Sequence, residues 1–156
     1  MVSDAETAVA AIIDPVLDLD YASGTLGTRS ADEVIEHIRD NNHILRYILE
    51  THIHADHLSG APYIREQLGG EIVIGSQITR VQETLATIFA EGDGFRTDGS
   101  QFDLMLSDRD TLSLGGLDVF AFHVPGHTPA CMAYLIGDAL FVGDTLFMPD
   151  AGTARC

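Results

Sequence analysis

The sequence predicts a single α/β layered domain, and three observations predict it. Hydrophobic periodicity switches several times between strand and helix repeats, with no internal repeat, low-complexity tract or proline-rich linker. The length of 156 residues suits one hydrophobic core. Three segments of strand character, ending near Thr51, Val124 and Val142, each deliver a ligand-type residue just past their carboxyl ends, where sites of α/β folds collect.

Taken in order, Val9 to Asp14 reads as a buried strand closed by Pro15, and residues 18–28 as a turn-rich connection. Ser30 is placed to cap a helix, with Glu33 completing a capping box and Val34, Ile35 and Ile38 on the inner face. Residues 44–50 form the next strand, which leads directly into Thr-His-Ile-His-Ala-Asp-His at 51–57. A short helix over 62–68 ends at Gly69 and Gly70. Residues 71–74 are a strand, and 77–91 are a helix with Val81, Leu85, Ile88 and Phe89 turned inward. A loop follows over 92–99. Residues 117–124 form a strand ending in the loop Pro-Gly-His-Thr-Pro at 125–129. Residues 132–136 and 139–142 pair as a hairpin about Gly137 and Asp138, whose second arm runs into Gly143 and Asp144.

Composition narrows the function classes. Hydrophobic residues at 46% and charged residues at 21% are enough for a core and argue against disorder. The formal charge is −16, with eight arginines and no lysine. A nucleic-acid surface needs a basic face to replace counterions, and anionic membranes need the same, so neither is expected as a partner. The acidic groups are scattered and read as a solvated surface. No apolar run approaches the ~18 residues of a membrane span, and the acidic amino terminus lacks a secretory pattern. The expectation is a soluble cytoplasmic protein. Cys131 and Cys156 are too few and too far apart for a disulfide framework, and Cys131 reads as a small buried residue.

The chemistry concentrates at residues 51–57. His52 and His54 are two apart on nearly extended backbone, so both leave one face and can reach one metal. Asp56 and His57 come where the chain turns, and can point at a second position. A metal needs ligands from other segments as well. His127, between two prolines, supplies an imidazole, and Asp144 supplies a carboxylate. Imidazoles with carboxylates suit zinc, iron(II) or manganese. Three histidines and an aspartate within six residues are hard to explain by packing, since burial without a metal leaves unpaired polar groups. The isolated His37, His43 and His123 read as surface or satisfied core residues.

Together, residues 51–57, Pro-Gly-His-Thr at 125–128 and Gly-Asp-Thr-Leu-Phe at 143–147 resemble the metallo-β-lactamase superfamily, in matching order along nearly the whole chain. Ile-Ile-Asp-Pro-Val at 12–16 and the flanks of both histidine motifs are most similar to its persulfide dioxygenase and glyoxalase II branch. Gly152-Thr-Ala-Arg155 resembles the start of a Gly-x-x-Arg-x-Asp-Phe motif of the persulfide dioxygenases, with Arg155 in the place of a substrate-binding arginine. The resemblance implies an αββα sandwich, of which this chain holds mainly the first half: residues 1–156 as one domain, incomplete at both ends. Members begin with an additional strand and continue with a second αβ half. The bared sheet face that results could pair two copies as a homodimer.

The resemblance to the dioxygenases implies one Fe(II) per chain held by His52, His127 and Asp144, oxidising glutathione persulfide to sulfite and glutathione. His54, Asp56 and His57 then orient ligands. The resemblance to glyoxalase II implies two zinc ions using all six residues, cleaving a glutathione thioester, with Asp56 and His57 at the catalytic position. In both, the partner is a small-molecule thiol derivative. A metal-binding module without turnover is the third alternative.

Overall fold

The structure, a computed structural model, describes residues 1–53, 58–90, 92, 94–147 and 151–153. In chain order its elements are β1 (Val2–Ser3), β2 (Val9–Ile13), β3 (Asp18–Asp20), β4 (Thr25–Gly27), α1 (Arg29–Asp40), β5 (Ile44–Leu49), α2 (Ala61–Leu68), β6 (Glu71–Gly75) and α3 (Ile78–Ile88). β7 (Leu104–Leu106), β8 (Thr111–Leu114), β9 (Leu117–His123), β10 (Met132–Ile136), β11 (Ala139–Phe141) and a 3-10 turn over Gly143–Thr145 follow.

The strands form two main sheets. The first has the order β1-β2-β5-β6-β7; β1 is antiparallel to β2 and the remaining neighbours are parallel. Parallel neighbours need crossovers, which α1, α2 and α3 provide. The second sheet, β11-β10-β9-β8, is an antiparallel meander. The short strands β1, β3, β4, β7 and β8 lie outside the elements expected from periodicity; runs of two to four residues are too brief to show a repeat.

Two cores result. Between the sheets lie Leu49, Val73, Leu114, Val119, Met132 and Tyr134, all buried. On the other face of the first sheet, α1 and α2 cover Ile12, Ile48 and Ile72 with Ile35, Ile38 and Ile64. Each large apolar side chain buried this way contributes roughly 1.5–3 kcal/mol. A register shift assigns residues to the two cores: Ala10 pairs with Leu45 but Ala11 with Tyr47, leaving Arg46 as an extra residue. Leu45 therefore faces the helices while Tyr47 faces the second sheet, which simple alternation forbids.

Ser30 is not the cap of α1. Thr28 precedes the helix, and its hydroxyl donates to Asp32 at 2.8 Å. The Ser30 N–H and hydroxyl both donate to Asp18, a carboxylate twelve residues upstream that takes over the capping role. The inner face of α3 also differs from expectation. Ile78 and Gln82 are its buried residues, while Ile88 and Phe89 are 66% and 67% exposed. The amide of Gln82 anchors the helix, accepting from Gly99 N–H at 3.0 Å and donating to Gln101 at 2.9 Å. That polar attachment turns the last apolar residues outward. No helix among the described residues is long and apolar enough to cross a membrane.

Candidate metal centre

The carboxyl end of β5 is held from four directions. Glu50 N–H donates to Val73 at 2.8 Å, and Tyr134 OH donates to the Glu50 carbonyl at 2.9 Å. Thr51 N–H donates to Asp14 Oδ1 at 2.7 Å, and the Thr51 carbonyl accepts from Met132 N–H at 2.8 Å. The second sheet is thus bonded to the first where the histidine motif begins. His52 follows, only 2% exposed. Burial also raises the Tyr134 phenol well above its ordinary pKa, so its O–H remains a donor.

His127 sits in the loop after β9. Val124 N–H donates to the Cys131 carbonyl at 2.9 Å, and Thr128 N–H donates to the Cys131 thiol at 3.2 Å. The His123 ring donates from Nε2 to the Pro129 carbonyl at 2.8 Å. Cys131 and His123 therefore brace this loop. His37 and His43 are neighbours across the turn after α1, with ring centroids 6.0 Å apart.

Asp144 lies in the 3-10 turn that follows β11. Its Oδ2 is 3.9 Å from His52 Nε2 and 3.5 Å from His127 Nε2. The two imidazoles meet edge to face, with centroids 4.8 Å apart and planes at 81°. One donor atom from each of the three residues fits within 4.8 Å of the others. Three strand ends thus converge on one point, as expected from their sequence positions. His54, Asp56, His57 and Arg155 lie outside the described residues.

The donor set fits a metal ion. Two neutral nitrogen ligands and one anionic oxygen, partly or wholly withdrawn from water, suit zinc or iron(II). The same three groups without an ion would hold a carboxylate against two imidazoles at distances too long for good hydrogen bonds.

Four contributing residues escaped sequence reasoning: Asp14, Thr51, Gly143 and Thr153. Thr51 Oγ1 bridges Asp14 and His52, and Thr153 Oγ1 bridges His127 and the Asp144 carbonyl. For Asp14 a signal existed, an acid at the carboxyl end of a buried strand on the same edge. For the threonines none did, since hydroxyls are common and their partners are distant.

The chain is similar to known proteins along nearly its whole length. A probable metallo-hydrolase of Burkholderia pseudomallei (strain 1710b) is 51% identical over 98% of this chain and 55% of its own length. Glyoxylase B2 of Dictyostelium discoideum is 46% identical over 100% of the chain and 54% of its own. The mitochondrial persulfide dioxygenase of Homo sapiens is 29% identical over 97% of the chain and 49% of its own. The chain thus spans about half the length of these curated relatives. Among solved structures, ETHE1 from Myxococcus xanthus superposes with a TM-score of 0.68 at 24% identity, covering 94% of this chain and 52% of that one, which supports the fold. The profile of the metallo-beta-lactamase superfamily matches residues 6–156, and the chain belongs to that superfamily of metal-dependent enzymes.

Proposed function

We propose that the protein is a persulfide dioxygenase, oxidising glutathione persulfide to sulfite and glutathione at one iron(II) ion. The observation that supports this reading is the convergence of two imidazoles and one carboxylate, His52, His127 and Asp144, on a single point. That composition is the facial triad of iron(II) oxygenases, which leaves room for both dioxygen and a sulfur ligand. The flanks of both histidine motifs, and the similarity to the human persulfide dioxygenase, point the same way.

In this reading an iron(II) ion supplies the redox chemistry and the binding positions for dioxygen and sulfur. The chain's own residues do the rest. His52, His127 and Asp144 hold the ion, and burial of His52 keeps one side of it dry. His54, Asp56 and His57 orient the neighbouring groups, and Arg155 offers a cation to a substrate carboxylate. The stoichiometry is persulfide, dioxygen and water to thiol and sulfurous acid. The S–S bond breaks, the persulfide gives up four electrons to dioxygen, and the third oxygen of sulfite comes from water.

A second reading has its own support. The relative at 51% identity is described as a metallo-hydrolase, and the four ligand-type residues of 51–57, with His127 and Asp144, make six ligand groups for two ions. Two zinc ions would lower the pKa of water toward neutrality for attack on a glutathione thioester, which yields the acid and glutathione.

Elemental analysis of the purified chain, paired with oxygen consumption on glutathione persulfide, separates the two. The proposal expects about one iron per chain with oxygen uptake. About two zinc-type ions with thioester cleavage and no uptake would overturn it. Bound metal with neither activity would overturn both and leave a metal-binding module.

A further inference from the structure

In each imidazole of the metal centre, the ring nitrogen that faces away from Asp144 rests on a threonine hydroxyl. His52 Nδ1 lies 2.9 Å from Thr51 Oγ1, and His127 Nδ1 lies 2.7 Å from Thr153 Oγ1. A hydroxyl carries one hydrogen, so where that hydrogen goes decides which partner donates. Thr51 Oγ1 is also 2.7 Å from Asp14 Oδ2. A carboxylate only accepts, and the other oxygen of Asp14 already takes the Thr51 N–H at 2.7 Å. The Thr51 hydrogen is therefore committed to Asp14. The remaining bond must run from His52 Nδ1–H to the Thr51 oxygen.

The second hydroxyl obeys the same bookkeeping. Thr153 Oγ1 is 2.6 Å from the backbone carbonyl of Asp144, another pure acceptor. Its hydrogen goes there, and His127 must donate from Nδ1. Both rings then hold their hydrogen on Nδ1 and their lone pair on Nε2. Those Nε2 atoms are the ones 3.9 and 3.5 Å from Asp144 Oδ2. A neutral ring with its lone pair on the inward nitrogen is the form that ligates.

We propose that Thr51 and Thr153 are positioning residues, two hydroxyls that set the tautomer and the ring angle of His52 and His127. Metal-binding histidines ordinarily donate their second N–H to a carboxylate, a carbonyl or water. Here a threonine stands between Asp14 and His52, so the carboxylate acts on the ring at one remove. Thr153 does more than orient: it bonds to two ligand residues at once, joining the loop after β9 to the turn after β11. Its own N–H, 3.3 Å from the Asp144 carbonyl, adds a second tie. The inference rests on these three residues holding the metal, and is independent of the reaction that follows.

The test uses the full chain with zinc as the probe, its affinity read by competition with a chromophoric chelator. Thr153→Val removes the hydroxyl at nearly equal volume, and Thr153→Ser keeps it. Loss of such a partner typically weakens binding about 10- to 100-fold, so Thr153→Val is expected in that range with Thr153→Ser close to the parent protein. Nitrogen-15 spectra of labelled histidine should show His127 leaving the single Nδ1–H tautomer in the valine variant alone. Thr51→Val and Thr51→Ser should do the same for His52. Unchanged affinity and tautomer in the valine variants would overturn the roles of the threonines, and so would equal weakening by valine and serine. Failure of the parent protein to bind zinc would instead sink the metal centre itself.

Discussion

Gly143 precedes Asp144 with φ of +51°, a conformation that residues with a side chain adopt at a cost. A Cβ at this position would also overlap the Thr51 hydroxyl. Both effects act on the centre, because Thr51 holds His52 and Gly143 leads into Asp144. Gly143→Ala is expected to destabilise the fold by at least about 1–2 kcal/mol, the left-handed penalty alone. It should also weaken zinc binding. Urea unfolding of the metal-free chain and chelator competition check the two parts separately, and a variant with parental values in both would show that the turn relaxes freely. His52, His127 and Asp144, which the fold brings together, were legible as candidates in the sequence, because each follows the carboxyl end of a strand-like segment. Thr51 and Thr153 were not, since a hydroxyl declares its role only when its partner is in place.

Asp4 links elements that are far apart in the chain. Its Oδ2 accepts from the Thr7 hydroxyl and from Gly116 N–H at 2.9 Å, which fastens the β1–β2 turn to the β8–β9 turn. The Thr7 hydroxyl first, then the Gly116 N–H, hold the Asp4 carboxyl below its ordinary pKa. A carboxyl whose folded value is lowered stabilises the protein above the unfolded value of about 3.9, and that stability is lost as pH falls through the lowered one. Asp4→Asn is therefore expected to flatten the acid limb of a stability–pH curve below about pH 4. Asp18, bonded to Ser30, Asp20, bonded to Ser23, Asp32, bonded to Tyr63, and Asp98, bonded to Ser100, have the same sign and should retain the rest of the slope. Urea midpoints at pH 3 to 7 provide the check, and parallel curves for the two proteins would reject the assignment. Among the elements, the long ones were readable from periodicity. The inner face of α3 was not, because Gln82 holds it through polar bonds that a hydrophobic pattern cannot show.

The four-stranded sheet turns an apolar row outward, with Phe120, Phe122 and Leu140 at 42%, 36% and 55% exposure. The chain also carries a charge of −16 at pH 7 with no lysine to offset it. Such a chain repels itself, and salt screens that repulsion over a Debye length of about 10 Å at 0.1 M and about 3 Å at 1 M. Raising sodium chloride from low millimolar to molar concentration should therefore raise the thermal midpoint of the metal-free protein. A midpoint that falls or stays level would mean that local ion pairs outweigh the net field. Arg65–Asp103 at 2.9 Å and Arg46–Glu71 at 3.2 Å are partly exposed pairs of the kind that contribute little.

Local pattern was sufficient for the α/β class, the order of the long strands and helices, and the candidate residues His52, His127 and Asp144 that the fold brings together, because periodicity and ligand-type residues at strand ends are local properties of the chain. Tertiary structure decided the extra residue at Arg46, the cap on α1, the face of α3 and the bonds that aim the imidazoles. Each depends on groups brought together across the chain, such as Thr51 with Asp14 over 37 residues, Tyr134 with Glu50 over 84 and Gly116 with Asp4 over 112. A polar side chain takes whichever partner the closed fold places within reach, whether a neighbouring strand end, as for Thr51, or the facing sheet, as for Tyr134.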